Sequence, residues 1–245
     1  MRVTRVHVAL PLAAGIEIEL PENAANHLTR VLRLGVGDTC TLFNGDGHDY
    51  PAQLIEVGKR VLRVGVGQGI AIHNESPLRL SLLQGVARGE KMDLILQKAT
   101  ELGVAALQPL YSQRSEVRLE GTRAEKRLAH WRGVVVAACE QSGRARVPEV
   151  AAPQPLAQAL AALADGSLRL ILDPVADASL SRLPVDPSRP ICLAVGPEGG
   201  WSPQDLDQLQ AAGFSGVRLG SRVLRTETAG LAAIAALQVL HGDLG

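Results

Sequence analysis

Up to residue 72, apolar and polar positions alternate in short runs. RVHVAL (5–10), GIEIEL (15–20), DTCTLFNG (38–45), YPAQLIEV (50–57) and KRVLRVGVG (59–67) carry much of the period of two that lays one strand face on a core. Gly, Asn and Asp separate them. One helix interrupts the series, from Glu22 to Arg33, with Gly35 closing it. Short strands of this kind predict a small barrel or sandwich over residues 1–72. HNESP (73–77) reads as a linker.

The rhythm changes after Pro77. LRLSLLQGVA (78–87) is a buried-strand run and EKMDLILQKATELG (90–103) an amphipathic helix. AALQPLYS (105–112), LRLILDP (168–174), PICLAVG (190–196) and GVRLG (216–220) are further strands. AEKRLAHWRGVVVAACEQSG (124–143), PLAQALAALA (155–164), SPQDLDQLQAAG (202–213) and TAGLAAIAALQVL (228–240) are helices. Strands and helices alternating at these lengths predict an α/β domain over 77–245, a mostly parallel sheet with helices on both faces. Ligands of such sheets bind beyond the carboxyl ends of the strands.

Composition narrows the class. With 46% hydrophobic residues the chain can bury a sizeable core. Its net charge of +0 hides an uneven distribution: residues 88–146 hold 11 Lys/Arg against 7 Asp/Glu, and residues 147–245 hold 6 against 10. Cys40, Cys139 and Cys192 are scattered and form no CxxC pair, which argues against a disulfide framework or a metal knuckle and fits a reducing cytoplasm. No HxH or HxxxH occurs, so no metal is expected. The absence of a leader-like run near the start and of any long apolar stretch predicts a protein of the cytoplasm with no membrane partner.

Four segments carry chemistry. In AVGPEGGWSPQDL (194–206) an apolar strand meets Gly-Pro-Glu-Gly-Gly, and Ser202-Pro203 opens a helix. A tight turn accounts for the glycines, but not for Glu198 between Pro197 and Gly199. In LGSRVLRTETAG (219–230), Thr226 or Thr228 caps a helix and Glu227 suits its positive end. Arg225 does not suit it: a cation at a helix N-terminus is disfavoured, so an anion, protein or ligand, belongs nearby. In ANHLTRVLRLG (25–35), helical spacing puts Leu28, Val31 and Leu32 on one side and His27, Arg30 and Arg33 on the other, either a solvated face or a phosphate contact. In VARGEKMD and ACEQSGRARVP, Arg88, Lys91, Arg144 and Arg146 flank helix ends, with the same two readings.

Together HLTRVLRLGVGD, RGEKMDLILQKATELGV, ACEQSGRARVPE, GPEGGWSPQDLD and LGSRVLRTETA resemble, in order and over essentially the whole chain, the bacterial RsmE family. The resemblance implies an N-terminal PUA-like β-barrel and a C-terminal SPOUT domain, α/β with a trefoil-knotted C-terminus. It implies methyl transfer from S-adenosylmethionine to N3 of one uridine in 16S ribosomal RNA, within the assembled 30S subunit or a late precursor, by a homodimer. Cofactor loops would be Leu172-Asp173-Pro174, then Gly196, Pro197, Gly199 and Gly200, then Leu219, Gly220, Leu224, Arg225, Thr226, Thr228 and Ala229. Arg225 would stabilise a developing uracil anion; Glu198, then Glu227, then Glu140 are the candidates to accept or position the proton. Arg30, Arg33, Arg88, Lys91 and Arg144 would grip RNA. Another RNA position, a ribose 2′-oxygen, or a non-catalytic RNA-binding role are the competing readings.

Overall fold

The structure, a computed structural model, describes residues 4–59, 61–163 and 165–245. The chain's first three residues, Arg60 within the fifth predicted strand, and Ala164 at the end of a predicted helix lie outside these. The chain forms two compact units, one of residues up to Glu75 with Cys139–Val147, the other of Ser76–Ala138 with Pro148–Gly245.

The first unit is a mixed sheet in the order β1-β3-β4-β5-β2, with β6 paired to β4. Its strands are β1 Arg5–His7, β2 Glu17–Glu19, β3 Thr39–Phe43, β4 His48–Val57, β5 Leu62–Val66 and β6 Ile70–Ala71. β4 shows the expected alternation, with Tyr50, Ala52 and Leu54 buried between exposed Pro51, Gln53 and Ile55. The sheet curls around Val6, Leu20, Leu28, Leu42, Leu54 and Val64. β1 and β3 pair in parallel; β1 and β2, the two ends of the strand order, are not paired with each other among the described residues.

The predicted helix is present but not regular. Helix α1 covers Glu22–Asn26 and passes directly into a π-helical turn over His27–Val31, marked by Leu32 N–H bonding to His27 O at 3.0 Å. The extra residue in that turn shifts every later side chain around the axis. Leu28 is fully buried, but Val31 is 67% exposed and does not share its face. The turn is closed not at Gly35 but at Arg33, whose φ of 58° is the positive-φ non-glycine conformation. Leu34 N–H then reaches back to Leu28 O at 3.0 Å.

Sequence order did not foretell that Cys139–Val147 belongs to this unit. Arg5 is the tie: it pairs with Asp49, its Nη2 donating to Oδ1 at 2.6 Å, and it also donates to the carbonyls of Cys139 (2.8 Å) and Arg144 (3.2 Å). Glu140 accepts the His7 backbone N–H at 2.9 Å. Arg144, expected to hold RNA, is 4% exposed and makes a two-point contact with Glu75, at 3.1 and 2.5 Å. It is therefore corrected to an internal tie, since a buried guanidinium engaged with a carboxylate does not reach a phosphate.

The second unit is a seven-stranded, wholly parallel sheet in the order β10-β8-β7-β12-β11-β13, with β9 beside β8. Its strands are β7 Leu80–Gly85, β8 Ala106–Tyr111, β9 Glu149–Val150, β10 Gln154–Pro155, β11 Leu168–Leu172, β12 Ile191–Val195 and β13 Ser215–Val217. The helices are α2 Glu90–Glu101, α3 Gly121–Ser142, α4 Leu156–Ala161, α5 Pro203–Ala211 and α6 Thr226–His241. β12 is buried at every residue, as a central parallel strand covered on both faces must be. The short β9 and β10 and a 3-10 turn at Leu180–Arg182 were not predicted; two-residue strands carry no readable period. After β13 the chain runs beside the β11–β12 loop, where Ser179 and Arg218 form a parallel bridge, before entering α6. α6 then returns to pack on β12 and α2. The mostly parallel α/β sheet expected for residues 77–245 is thus present.

Removing Arg144 would strand Glu75, whose side chain is 29% exposed, without its partner. Arg144→Ala should lower unfolding free energy by about 2 kcal/mol, read by urea denaturation. Unchanged stability would show that Arg144 does not tie this segment.

Candidate active site

Three neighbouring parallel strands, β12, β11 and β13, end at one edge of the sheet at Val195, Leu172 and Val217. The loops that follow them enclose a cavity of about 590 Å³. Its position and size are those of a small-molecule site in a parallel α/β sheet.

Glycine lets these loops lie close together. A Cβ on Gly85, the last residue of β7, would fall 2.4 Å from the Pro197 nitrogen, and one on Gly196 would fall 3.2 Å from Gly200. The GPEGG loop therefore folds flat against its neighbours. It feeds α5 through the expected cap: Asp205 N–H donates to Ser202 Oγ at 3.0 Å and Ser202 N–H to Asp205 Oδ2 at 2.9 Å. On the β11 loop, Asp173 Oδ1 accepts the Val175 N–H at 3.0 Å, a side chain that shapes its own turn.

The third loop departs from expectation. Neither Thr226 nor Thr228 caps α6; Arg225 is the N-cap residue and supplies no side-chain bond. Thr226 instead donates its hydroxyl to Gly196 O at 2.6 Å and accepts from Gln84 Nε2 at 2.9 Å. Thr228 is exposed and does not line the cavity.

Charge is ordered around Lys91. Its Nζ lies 3.4 Å from Glu198 Oε1 and 3.7 Å from Glu227 Oε2. Glu198 Oε1 also accepts the Arg88 backbone N–H at 3.0 Å. Burial pushes the Glu198 pKa up, but the backbone N–H groups of Arg88 and Glu198 and the Lys91 ammonium outweigh it, and the net effect is a lowered pKa. Glu198 is thus held ionised and engaged, which suits positioning the loop and not taking up a proton. Glu227 differs: its Oε2 is buried without a hydrogen-bond partner. Trp201 Nε1, also at the cavity, is buried and equally unpartnered. The exposed Arg225 side chain lines the cavity and has no hydrogen bond or ion pair among the described residues.

The structure brings together Leu172, Asp173, Pro174, Gly196, Pro197, Glu198, Gly200, Leu219, Gly220, Leu224, Arg225, Thr226 and Ala229 on one cavity. Gly199 stands outside it, where a Cβ would meet Arg114 at 3.0 Å. Lys91, expected on RNA, is in the cavity wall. Arg88 stays largely exposed, its guanidinium paired with Glu116. Arg30 and Arg33 are exposed in the first unit. Glu140 is withdrawn as a proton acceptor, since it is spent on His7 in the first unit. Sequence reasoning missed Trp201, Arg218 and Val175, which line the cavity; Arg222 and Val223, also lining it, fall within the expected loop 219–229 without having been singled out. Arg218, Arg222 and Arg225 all reach one cavity from the segment that follows β13.

Among the described residues no group of His, Cys, Asp and Glu could hold a metal ion, and no helix is long and apolar enough to cross a membrane. The three cysteines are buried and free, their thiols pushed by burial up to about 11 for Cys40 and Cys139 and about 12 for Cys192.

Fold and site together define an RNA methyltransferase. Residues 74–238 match the RNA methyltransferase domain and residues 20–60 the RNA methyltransferase PUA domain. The chain belongs to the ribosomal RNA small subunit methyltransferase E family. It is 30% identical to the Bacillus subtilis member over 231 residues, 89% of this chain and 90% of that protein. It is 33% identical to the Synechocystis member over 223 residues, 88% of this chain and 70% of that one. A crystal structure of the Neisseria gonorrhoeae enzyme bound to S-adenosyl methionine superposes with a TM-score of 0.94 at 42% identity, covering 100% of both chains.

Because the folded pKa of Glu198 lies below its ordinary value of 4.5, its stabilisation is complete above 4.5 and is lost as pH falls through the lowered value. Glu198→Gln should remove that part of the acid loss of stability and leave the rest, in thermal melts from pH 7 down to pH 3. Identical acid limbs for variant and wild type would show that the carboxylate holds nothing.

Proposed function

We propose that the chain transfers a methyl group from S-adenosylmethionine to N3 of one uridine in the RNA of the small ribosomal subunit. The observation that supports this best is Arg225: a cation at the positive end of a helix, at a cavity mouth, with no protein partner among the described residues. An anion that arrives or develops in the cavity supplies what it lacks.

The residues present suit this cofactor. Leu172, Leu219 and Leu224 give an apolar wall, and the backbone of Gly196–Gly200 gives polar groups at close approach. Buried Trp201 Nε1 and Glu227 Oε2, neither of them hydrogen-bonded, offer a donor and an acceptor. When bound, the cofactor supplies a methyl group already activated on a sulfonium. The chain's own work is then alignment and charge. Glu227 accepts the N3 proton, freeing the nitrogen lone pair to form the new N–C bond while the C–S electron pair returns to sulfur. Arg225 stabilises the negative charge that uracil gains as the proton leaves. Glu198 holds Lys91 and the Arg88 turn, and Lys91 steadies Glu227. The target base must leave its stack to reach the cavity.

In this reading residues 1–72 and 77–245 are the PUA-like and methyltransferase domains, with residues 139–147 packed in the first unit. Arg30, exposed on the π-turn, and Arg33, exposed just after it, grip RNA backbone. The assembled 30S subunit is the proposed substrate, because the target base must be presented out of its stack to reach the cavity. The protein acts as a homodimer: α6 is apolar almost all round, and Leu94, Val239 and Leu240 lie exposed on α2 and α6. Sedimentation of a species twice the 25.9 kDa chain mass checks the assembly.

Labelled S-adenosylmethionine should mark small subunits and not large ones, and mass spectrometry should place the methyl at N3 of a single uridine. Arg225→Ala and Glu227→Gln should each lower turnover about 100-fold or more with cofactor binding still measurable by calorimetry. Wild-type rates in both variants sink the assignment of roles, and absence of label in every RNA sinks the activity. Arg30→Ala with Arg33→Ala should weaken rRNA binding and flatten its salt dependence; unchanged affinity and slope would return both to solvent.

A further inference from the structure

A second hollow of about 580 Å³ shares a wall with the cavity through Pro174, Arg218 and Gly220. The chemistry of methyl transfer uses none of its other residues. Ser179, Ser181, Ser221 and Arg182 line it with Arg218, and Asp177 is its one carboxylate. Three hydroxyls and two guanidiniums against one carboxylate make a surface of hydrogen-bond donors with a net positive charge.

The turn presenting them is fixed. Arg218 N–H donates to Ala178 O at 2.9 Å, and Leu180 N–H donates to Arg218 O at 3.1 Å. Leu180 is 2% exposed, and its 3-10 turn packs on α6. Ser179 Oγ and Ser181 Oγ hydrogen-bond each other at 3.0 Å on either side of that anchor, which leaves one of their two protons for a ligand. Arg218 spends Nη1 on Ala176 O at 2.9 Å and keeps its other donors. The Arg182 side chain is exposed and has no partner among the described residues.

We propose that this hollow is a subsite for a backbone phosphate of the RNA strand, next to the nucleotide whose base enters the cavity; this rests on the reading that the substrate is RNA. A phosphodiester brings one negative charge and two acceptor oxygens, which a guanidinium meets with two parallel N–H bonds and hydroxyls complete. The shared wall at Pro174, Arg218 and Gly220 puts the two ligand positions side by side, as neighbouring parts of one strand require. Asp177 adds discrimination: a site with net charge near one suits a diester and not a more highly charged free phosphate.

The test uses the full-length protein and small ribosomal subunits lacking the methyl group, with equilibrium binding followed over a range of salt. Arg182→Ala should raise Kd about 5- to 10-fold and reduce the slope of log K against log salt by roughly 0.7 to 0.9, the value of one phosphate. Arg182→Lys should restore the slope, because the charge returns. S-adenosylmethionine affinity, read by calorimetry, should stay within about twofold of wild type, which also reports an intact fold. A salt slope and Kd equal to wild type in Arg182→Ala would overturn the subsite. A wild-type protein that binds no rRNA would overturn the function itself, a distinguishable result.

Discussion

One threonine hydroxyl holds the active end of this protein together. Thr226 Oγ1 donates to the carbonyl of Gly196 and accepts from the amide of Gln84. That joins the first turn of α6 to the ends of two adjacent strands, β12 and β7. The geometry around it is correspondingly tight: Gly85 leaves no room for a Cβ, which would fall 2.4 Å from the Pro197 nitrogen. With α6 fixed at its first residue, the residue before it has one place to be. Arg225 is held at the cavity mouth by a contact it does not make itself.

The cavity's charges follow from the same constraint. Fixing α6 places Glu227, its second residue, near Lys91, while the GPEGG loop delivers Glu198 from the other side. One ammonium cannot satisfy two carboxylates equally. Glu198 takes the closer approach and a backbone N–H besides, and is locked ionised. Glu227 keeps an oxygen without a hydrogen bond. Two glutamates that look equivalent in the sequence are thereby divided, one into scaffold and one into a group with unspent capacity. A buried acceptor that makes no hydrogen bond is costly for a fold even beside an ammonium, so a ligand that donates to it gains accordingly.

Much of the architecture was legible because it depends on local period. The buried run ICLAV announces a covered parallel strand and the amphipathic EKMDLILQKATE the crossover helix between β7 and β8, and both are found. The Ser202–Asp205 cap was legible for the same reason, since all its atoms lie within four residues. The π-turn was not. An inserted residue changes the period itself, so the face on which Val31 was placed does not exist. Nor was the transfer of Cys139–Val147 to the first unit legible, because the carbonyls that Arg5 holds lie more than 130 residues from it in sequence.

The site divides along the same line. Arg144 and Arg225 each stand beside a helix end in the sequence. Arg144 could be solvated or on a phosphate, Arg225 at the positive end of its helix called for an anion, and local reasoning could say no more. In the folded chain Arg144 finds Glu75, 69 residues away, and is buried with it. Arg225 finds nothing among the described residues. What separates a structural arginine from a functional one is therefore not its residue type, its exposure to a helix dipole or its neighbours in the chain. It is whether folding closes the electrostatic account within the protein or leaves it open toward a cavity. An unpartnered cation at the mouth of a site built from three strand ends is open in that sense, and the role proposed for Arg225 rests on that openness.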